Sequence, residues 1–209
     1  MERSSVVSTF QSGVKRTADL LIALLALAVL AIPMLVIALA VRLTSRGSAL
    51  YWSRRVGRDN TIFLMPKFRS MRTDTPQLAT HLLTDSTKWI TPVGRFLRVT
   101  SLDEIPQLFN ILRGDMSIVG PRPALFNQAD LIALRTACGV SRMLPGITGW
   151  AQINGRDELS IPEKVRLDEH YLQHQSLALD LKIMLLTFVK VLRREGIAQA
   201  DQTSHRKAA

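Results

Sequence analysis

The chain has 209 residues, 47% hydrophobic and 21% charged, with 27 lysines and arginines against 17 acidic residues and a formal net charge of +10. That is the length of one ordinary domain with enough apolar mass for a core, and a pI of about 10.6 attracts polyanions: nucleic acid, anionic headgroups or phosphorylated small molecules. A single cysteine, Cys138, excludes an internal disulfide and the small secreted scaffold that goes with one, and fits a reducing compartment.

The first element is LLIALLALAVLAIPMLVIALAV, Leu20 to Val41, which carries no charge. Its length of about 22 residues is roughly 33 Å of helix, enough for a membrane. A buried core helix is the bland alternative, but a helix apolar all round is hard to cover in a small domain. A cleaved signal peptide fits less well. Ala38-Leu39-Ala40 resembles a cleavage site, yet the apolar run exceeds an ordinary h-region and leads directly into Arg42. Pro33 removes a backbone donor and clashes with the preceding turn, so a kink or break is expected there. Lys15 and Arg16 precede the segment; Arg42, Arg46, Arg54, Arg55, Arg58, Lys67, Arg69 and Arg72 follow it, with only Asp59 as acid. Both flanks favour the cytoplasmic face. A helix bent at Pro33 and re-entering the same leaflet satisfies them, and a Pro-kinked span oriented by the stronger downstream charge is the alternative.

Leu50 to Arg55 and Ile62 to Pro66 alternate as two short strands, with Gly57, Asp59 and Asn60 as turn residues, so a β-hairpin is expected. Thr91-Pro92 reads as a cap and first-turn proline opening a short helix through Phe96 and Leu97. In SLDEIPQLFNILRGD, residues 101–115, two adjacent carboxylates precede an apolar helical pattern. Either Asp103 is the N-cap with Pro106 in the first turn, or Ser101 and Glu104 form a capping box. Both put the carboxylates at the positive end of a helix, and a well-capped helix is all that an isolated S-x-x-E implies. In GDMSIVGPRP, Pro121 and Pro123 stiffen the backbone around Arg122, whose guanidinium suits bidentate phosphate binding. Asn127 to Cys138 reads as a helix closed by Gly139. PGITGWAQINGR adds Gly146, Gly149 and Gly155 for close backbone approach, Trp150 as a flat surface and Arg156 as a second arginine. Asp180 to Gly196 is an apolar helix with Lys182, Lys190, Arg193 and Arg194 on one arc, which interfacial docking and core packing explain equally well. No internal repeat occurs, and the tail reads as loosely ordered.

KFRSM, SLDEIPQLFNILRGDMSIVGPRP, PGITGWAQINGR and DLKIMLLTFVKVL, in this order behind a Pro-interrupted apolar segment, resemble the bacterial sugar transferases called monotopic phosphoglycosyl transferases, most closely the small single-domain members. The resemblance covers Lys15 to Gly196. It implies Mg²⁺-dependent transfer of a sugar 1-phosphate from a nucleotide diphosphate sugar, usually a UDP-sugar, to a polyprenyl phosphate, the initiating step of surface glycan assembly. It places the reaction on the cytoplasmic face of the bacterial inner membrane, among membrane lipids. It further implies Asp103 as nucleophile, Glu104 as metal ligand, and phosphate or nucleotide contact by Arg122 in the Pro121-Arg122-Pro123 loop. Lys67, Arg98 and Arg156 match basic positions that contact phosphate. Ile32 departs from the pattern, since many relatives carry Ser before the membrane proline. Such chemistry makes electrostatic sense, because a covalent aspartyl-phosphate step separates two encounters between like-charged phosphates.

The expected fold is mainly α with a small β-hairpin. A Pro-broken re-entrant membrane helix with its leading segment occupies residues 1–45, a compact cytoplasmic catalytic unit with interfacial helices occupies 46–196 of the same single domain, and a flexible tail occupies 197–209. Two other functions use the same charge. One is a membrane-bound glycosyltransferase moving the sugar alone and releasing UDP in place of UMP. The other is a basic membrane-tethered binding module, but only 6% of residues are aromatic and neither zinc spacing nor an RNA-recognition motif occurs, so no nucleic-acid partner is expected. Homo-oligomerisation is left open.

Overall fold

The computed structural model of the chain describes residues 2–75, 86–155 and 159–193. Its first element, α1 (Glu2–Thr44), contains the apolar segment. The most apolar stretch within Gly13–Thr44 has a mean hydropathy of 3.1 and is only 6% buried, which excludes the core-helix alternative. The packing that α1 does have lies on one stripe at helical spacing. Ala23, with Ala26, Leu27 and Leu30, meets Met65, Leu108, Ile111 and Met116; Val41, with Met34, Ile37 and Ala38, meets Phe68 and Leu97. Leu25, Val29, Ile32, Leu35 and Leu43 on the remaining surface expose 68% to 77% of their area. Helical backbone runs through Pro33 without interruption. The expected break is therefore not a loss of helix: the fixed φ of proline is itself helical, and a missing ladder bond on an exposed side is tolerated.

Behind α1 comes the antiparallel hairpin of β1 (Leu50–Val56) and β2 (Ile62–Phe68), in register from Leu50 opposite Phe68 to Val56 opposite Ile62. Its turn places Asp59 and Asn60 at φ of 53° and 60°, the left-handed region these two residue types tolerate best among those with a side chain. Just past β2, the buried Arg69 closes the end of α1, donating to the Ser45 carbonyl at 2.9 Å, to Ser45 Oγ at 2.8 Å and to the Arg46 carbonyl. A cation on orphan C-terminal carbonyls complements the helix dipole.

Helix α2 (Pro92–Val99) starts as expected, with the Thr91 hydroxyl accepting from Gly94 N at 2.9 Å. A 3₁₀ segment, Leu102–Gln107, then leads into α3 (Leu108–Arg113). Both expected capping arrangements fail here. Ser101 sits at φ 56° and makes no side-chain cap, and Asp103 lies inside the 3₁₀ turn. Pro106 explains the geometry, since a residue without an N–H fits a short i→i+3 turn better than the interior of an α-helix.

A second sheet, unexpected from the sequence, pairs β3 (Ser117–Val119) in parallel with β4 (Gly146–Thr148). A Cβ at Gly146 would collide with the Gly120 backbone, and one at Gly120 with the Leu144 carbonyl. The close approach these glycines permit is thus chain to chain. Between the strands lies α4 (Ala129–Ala137), closed by Gly139 at φ 81°. Then follow α5 (Trp150–Ile153), α6 (Ile161–His174) and α7 (Leu177–Arg193). In α7, Ile183 is fully buried while Leu181, Leu185 and Phe188 expose 55%, 59% and 64%. Core packing therefore accounts for one edge of this helix and leaves a broad apolar face uncovered. Arg194, Gly196 and the tail lie outside the described residues.

Candidate active site

Three elements converge on the carboxylate pair. The 3₁₀ segment carries Asp103 and Glu104, β2 delivers Lys67 near its end, and the loop leaving β3 delivers Arg122. Lys67 Nζ donates to Glu104 Oε1 at 2.6 Å and Arg122 Nη2 donates to the same oxygen at 2.9 Å. Lys67 and Glu104 side chains are each 15% exposed and that of Arg122 is 39% exposed, so the cluster opens to solvent on the arginine side. Asp103 is buried beside it.

The two carboxylates differ sharply in electrostatics. For Glu104, burial alone would raise the pKa, but the facing charges of Arg122 and Lys67 and their hydrogen bonds hold it well below the usual glutamate range. For Asp103, burial dominates and pushes the pKa up; Lys67, Arg98 and Arg122 oppose this rise, and Glu104 adds to it. Lys67 is pushed down by burial, against the pull of Glu104. The pair thus contains one firmly ionised group, which organises two cations, and a neighbour whose charged form is disfavoured by burial.

The loop carrying Arg122 is held by its carbonyls. Pro121 O accepts from Gly146 N at 2.9 Å and Ala124 O from Val56 N at 3.0 Å. Arg122 O accepts from Arg135 Nη1 at 2.8 Å and Pro123 O from Arg55 Nη1 at 3.1 Å. Prolines offer no donor of their own, so these four consecutive acceptors set the loop. Arg135, from α4, is anchored in turn by Asp168 of α6, whose Oδ2 accepts from Nη2 at 2.6 Å and Nε at 3.0 Å.

Of the residues singled out from sequence, the structure brings Lys67, Asp103, Glu104 and Arg122 into one cluster, flanked by Pro121 and Pro123. Arg98, in the last turn of α2, is close enough to act electrostatically on Asp103. Arg156 lies outside the described residues. Pro33, on α1, is no part of the cluster. Trp150 stacks on His170 with ring centroids 5.6 Å apart, and Lys182 Nζ lies 5.7 Å from its ring, so it helps pack α5 against α6 and α7. The sequence reading missed Arg135, Asp168 and the loop role of Arg55. A signal did exist for α6 and hence for Asp168: Ser160, Pro162 and Glu163 open that helix with a genuine capping box.

A second polar cluster ties α1 to β3, α6 and α7. Asp19, buried, accepts from Ser117 Oγ at 2.7 Å and Ile118 N at 3.1 Å, both on β3. Lys15 donates to Asp180 Oδ2 at 2.7 Å, while Tyr171 Oη donates to Asp180 Oδ1 at 2.5 Å.

Comparison with known proteins gives the family. Residues 10–194 match the family model for bacterial sugar transferases. The chain is 40% identical over 190 residues to the uncharacterized sugar transferase EpsL of Bacillus subtilis (strain 168), covering 91% of this chain and 93% of the relative. It is 38% identical to the exopolysaccharide production protein ExoY of Sinorhizobium fredii, covering 87% of each. It is also 40% identical to the UDP-glucose:undecaprenyl-phosphate glucose-1-phosphate transferase of Escherichia coli (strain K12), covering 84% of this chain but 39% of that longer protein. A match over residues 10–194, containing the whole carboxylate–cation cluster, shows that the protein belongs to the bacterial sugar transferase family and is a sugar-phosphate transferase.

Proposed function

We propose that the chain transfers a sugar 1-phosphate from a UDP-sugar to a polyprenyl phosphate through a covalent intermediate on Asp103. The observation that carries this reading is the cluster itself: a buried carboxylate of raised pKa beside a glutamate that gathers two cations. A carboxylate oxygen of Asp103 attacks the sugar-linked phosphorus. The bond from that phosphorus to the bridging oxygen breaks, and UMP departs with the electron pair. A phosphate oxygen of the lipid then attacks the same phosphorus, releasing Asp103 as carboxylate and forming the polyprenyl diphosphate sugar. Lys67 and Arg122 hold the non-bridging oxygens during both displacements, and Arg98 offsets charge near Asp103.

Among the described residues no group of three histidine, cysteine or acidic side chains forms a closed metal site. Hard carboxylate oxygens from one adjacent pair nevertheless fit Mg²⁺, which takes one or two protein carboxylates and completes its shell with phosphate and water. Glu104, whose Oε1 accepts from both Lys67 and Arg122, would be the residue to hold it. When bound, Mg²⁺ would neutralise the diphosphate and stabilise UMP as leaving group.

The site faces the cytoplasm from a re-entrant α1 in this reading. Support comes from the packing of α1 at both ends of its apolar segment against the same unit: Asp19 on β3 at one end, and Val41 on Phe68 and Leu97 at the other. A water-facing unit that touches both ends is hard to place around a straight span. The uncovered apolar face of α7, with Lys182 and Lys190 on the helix, suits the interface.

The test is intact-protein mass and nucleotide release with lipid-free enzyme, UDP-sugar and Mg²⁺. One equivalent of UMP and a sugar-phosphate adduct are expected, both lost in Asp103→Asn. UDP as product would establish transfer of the sugar alone. Absence of adduct and burst, under conditions where added lipid restores full turnover, would overturn the covalent role.

A further inference from the structure

We propose that the buried Arg135–Asp168 pair is a positioning device for Arg122, fixing the direction in which its guanidinium meets the donor phosphates. The proposal rests on the reading of Arg122 as a phosphate contact. Arg122 is held through its backbone and its side chain: its carbonyl accepts from Arg135 Nη1 at 2.8 Å, and its guanidinium donates to Glu104 at 2.9 Å. The fork geometry of Arg135 is what makes this work. With Nε and Nη2 both committed to Asp168 Oδ2, the guanidinium plane is set and Nη1 is aimed at the loop. Asp168 is 1% exposed and the Arg135 side chain 11%, so the pair is shielded from competing water. Because Pro121 and Pro123 donate nothing, no neighbouring N–H of the Pro-Arg-Pro triplet can take over when that carbonyl bond is lost. The neighbouring Pro121, Pro123 and Ala124 carbonyls still hold the loop, so the Arg122 peptide is released locally, and a small rotation there displaces its guanidinium from the cluster.

A merely structural role, gluing α4 to α6, makes a different prediction, and the choice of variants separates the two. Arg135→Met alone would leave Asp168 buried and unpaired, which destabilises strongly, whereas Arg135→Met with Asp168→Leu removes both charges and is tolerated far better. In full-length enzyme in detergent, three quantities are read: UMP release against UDP-sugar concentration at saturating polyprenyl phosphate, thermal unfolding, and amide hydrogen exchange of peptides covering residues 118–126. The paired variant is expected to unfold cooperatively yet lose on the order of 10- to 100-fold in kcat/KM for the donor, the scale of a misplaced binding group. Exchange should quicken in the loop. In an Arg122→Met background the same two substitutions should cost less than about twofold more, because the residue they position is gone. An equal loss in that background, or wild-type kcat/KM with unchanged loop exchange in the paired variant, would overturn the proposal. Failure of the wild type to turn over any UDP-sugar would refute the reading of the site instead, and loop exchange would still decide the positioning claim.

Discussion

Replacing Lys67 by Met tests the electrostatic core of the site. The Met side chain keeps the apolar stem and removes the 2.6 Å charged hydrogen bond to Glu104. Glu104 is not left alone, since Arg122 still donates to Oε1 at 2.9 Å, so the penalty is that of one charge-assisted bond, about 1.5–3 kcal/mol, and not that of a fully orphaned buried charge. For a chain of this size each kcal/mol moves the midpoint by about 2–4 °C, so Tm should fall by about 3–12 °C. The pH dependence has a fixed sign. Glu104 is depressed in the fold, so its stabilisation is present above the ordinary glutamate value and is lost as pH falls through the lower folded value. With Lys67 gone the depression shrinks, and the stability gap between wild type and variant should narrow as the pH drops below the ordinary range. Asp103 moves the other way. Lys67 is the largest influence restraining its rise, so the acid limb of the UMP burst should shift to higher pH in the variant. Differential scanning fluorimetry at stepped pH, with burst amplitudes over the same range, reads both effects. A variant that melts within about 1 °C of wild type and keeps the same acid limb would refute this account of the cluster.

Arg122→Lys keeps the charge but loses the planar fork; turnover should drop clearly with Tm nearly unchanged, and wild-type turnover would remove Arg122 from the site. Glu104→Gln should weaken turnover and Mg²⁺ dependence while leaving some burst, because the nucleophile remains; Mg²⁺ titration of the burst reads this. Arg69→Met strips the C-terminal end of α1 of its cation, and a loss of about 1.5–3 kcal/mol is expected in thermal unfolding. Single cysteines at Ser5 and Ser204, in a Cys138→Ser background, should both react only from the cytoplasmic side; opposite labelling would establish a full span.

Local chemistry with a strong signal was legible in the sequence. The hairpin turn at Asp59 and Asn60, the Thr91-Pro92 helix start and the Gly139 stop all stand where short-range preferences put them. The S-x-x-E pattern shows where such reasoning ends. It occurs at Ser101–Glu104 and at Ser160–Glu163, and only the second is a capping box. At the first, Pro106 favours a 3₁₀ turn, and Lys67 and Arg122 draw the Glu104 side chain away from the backbone. Partners 37 and 18 residues distant leave no trace in a local pattern. The β3–β4 sheet was hidden for a related reason. Three residues per strand are too few to show alternation, and parallel pairing across the intervening α4 is a long-range choice. Asp103, Glu104 and Arg122 could be singled out as candidates because residue type suggests chemistry, and the fold does bring them together; Arg135 and Asp168 look like ordinary surface charges until α4 and α6 are packed together.

The same contrast revises the meaning of the net charge of +10. Read along the chain, the arginines and Lys67 after α1 form a basic flank for a membrane. In the fold several are committed internally: Arg69 to the end of α1, Arg55 to the Pro123 carbonyl, and Lys67 to Glu104. For the proposed phosphate site a glutamate at the centre looks counterproductive, but Lys67 and Arg122 converging without it would leave two cations repelling each other, and burial would drive Lys67 toward its neutral form. Glu104 keeps both charged and close while no phosphate is present. In the proposed reaction a diphosphate would therefore meet donors already in place, and reorganisation, the usual cost of stabilising a transition state in water, would be largely avoided.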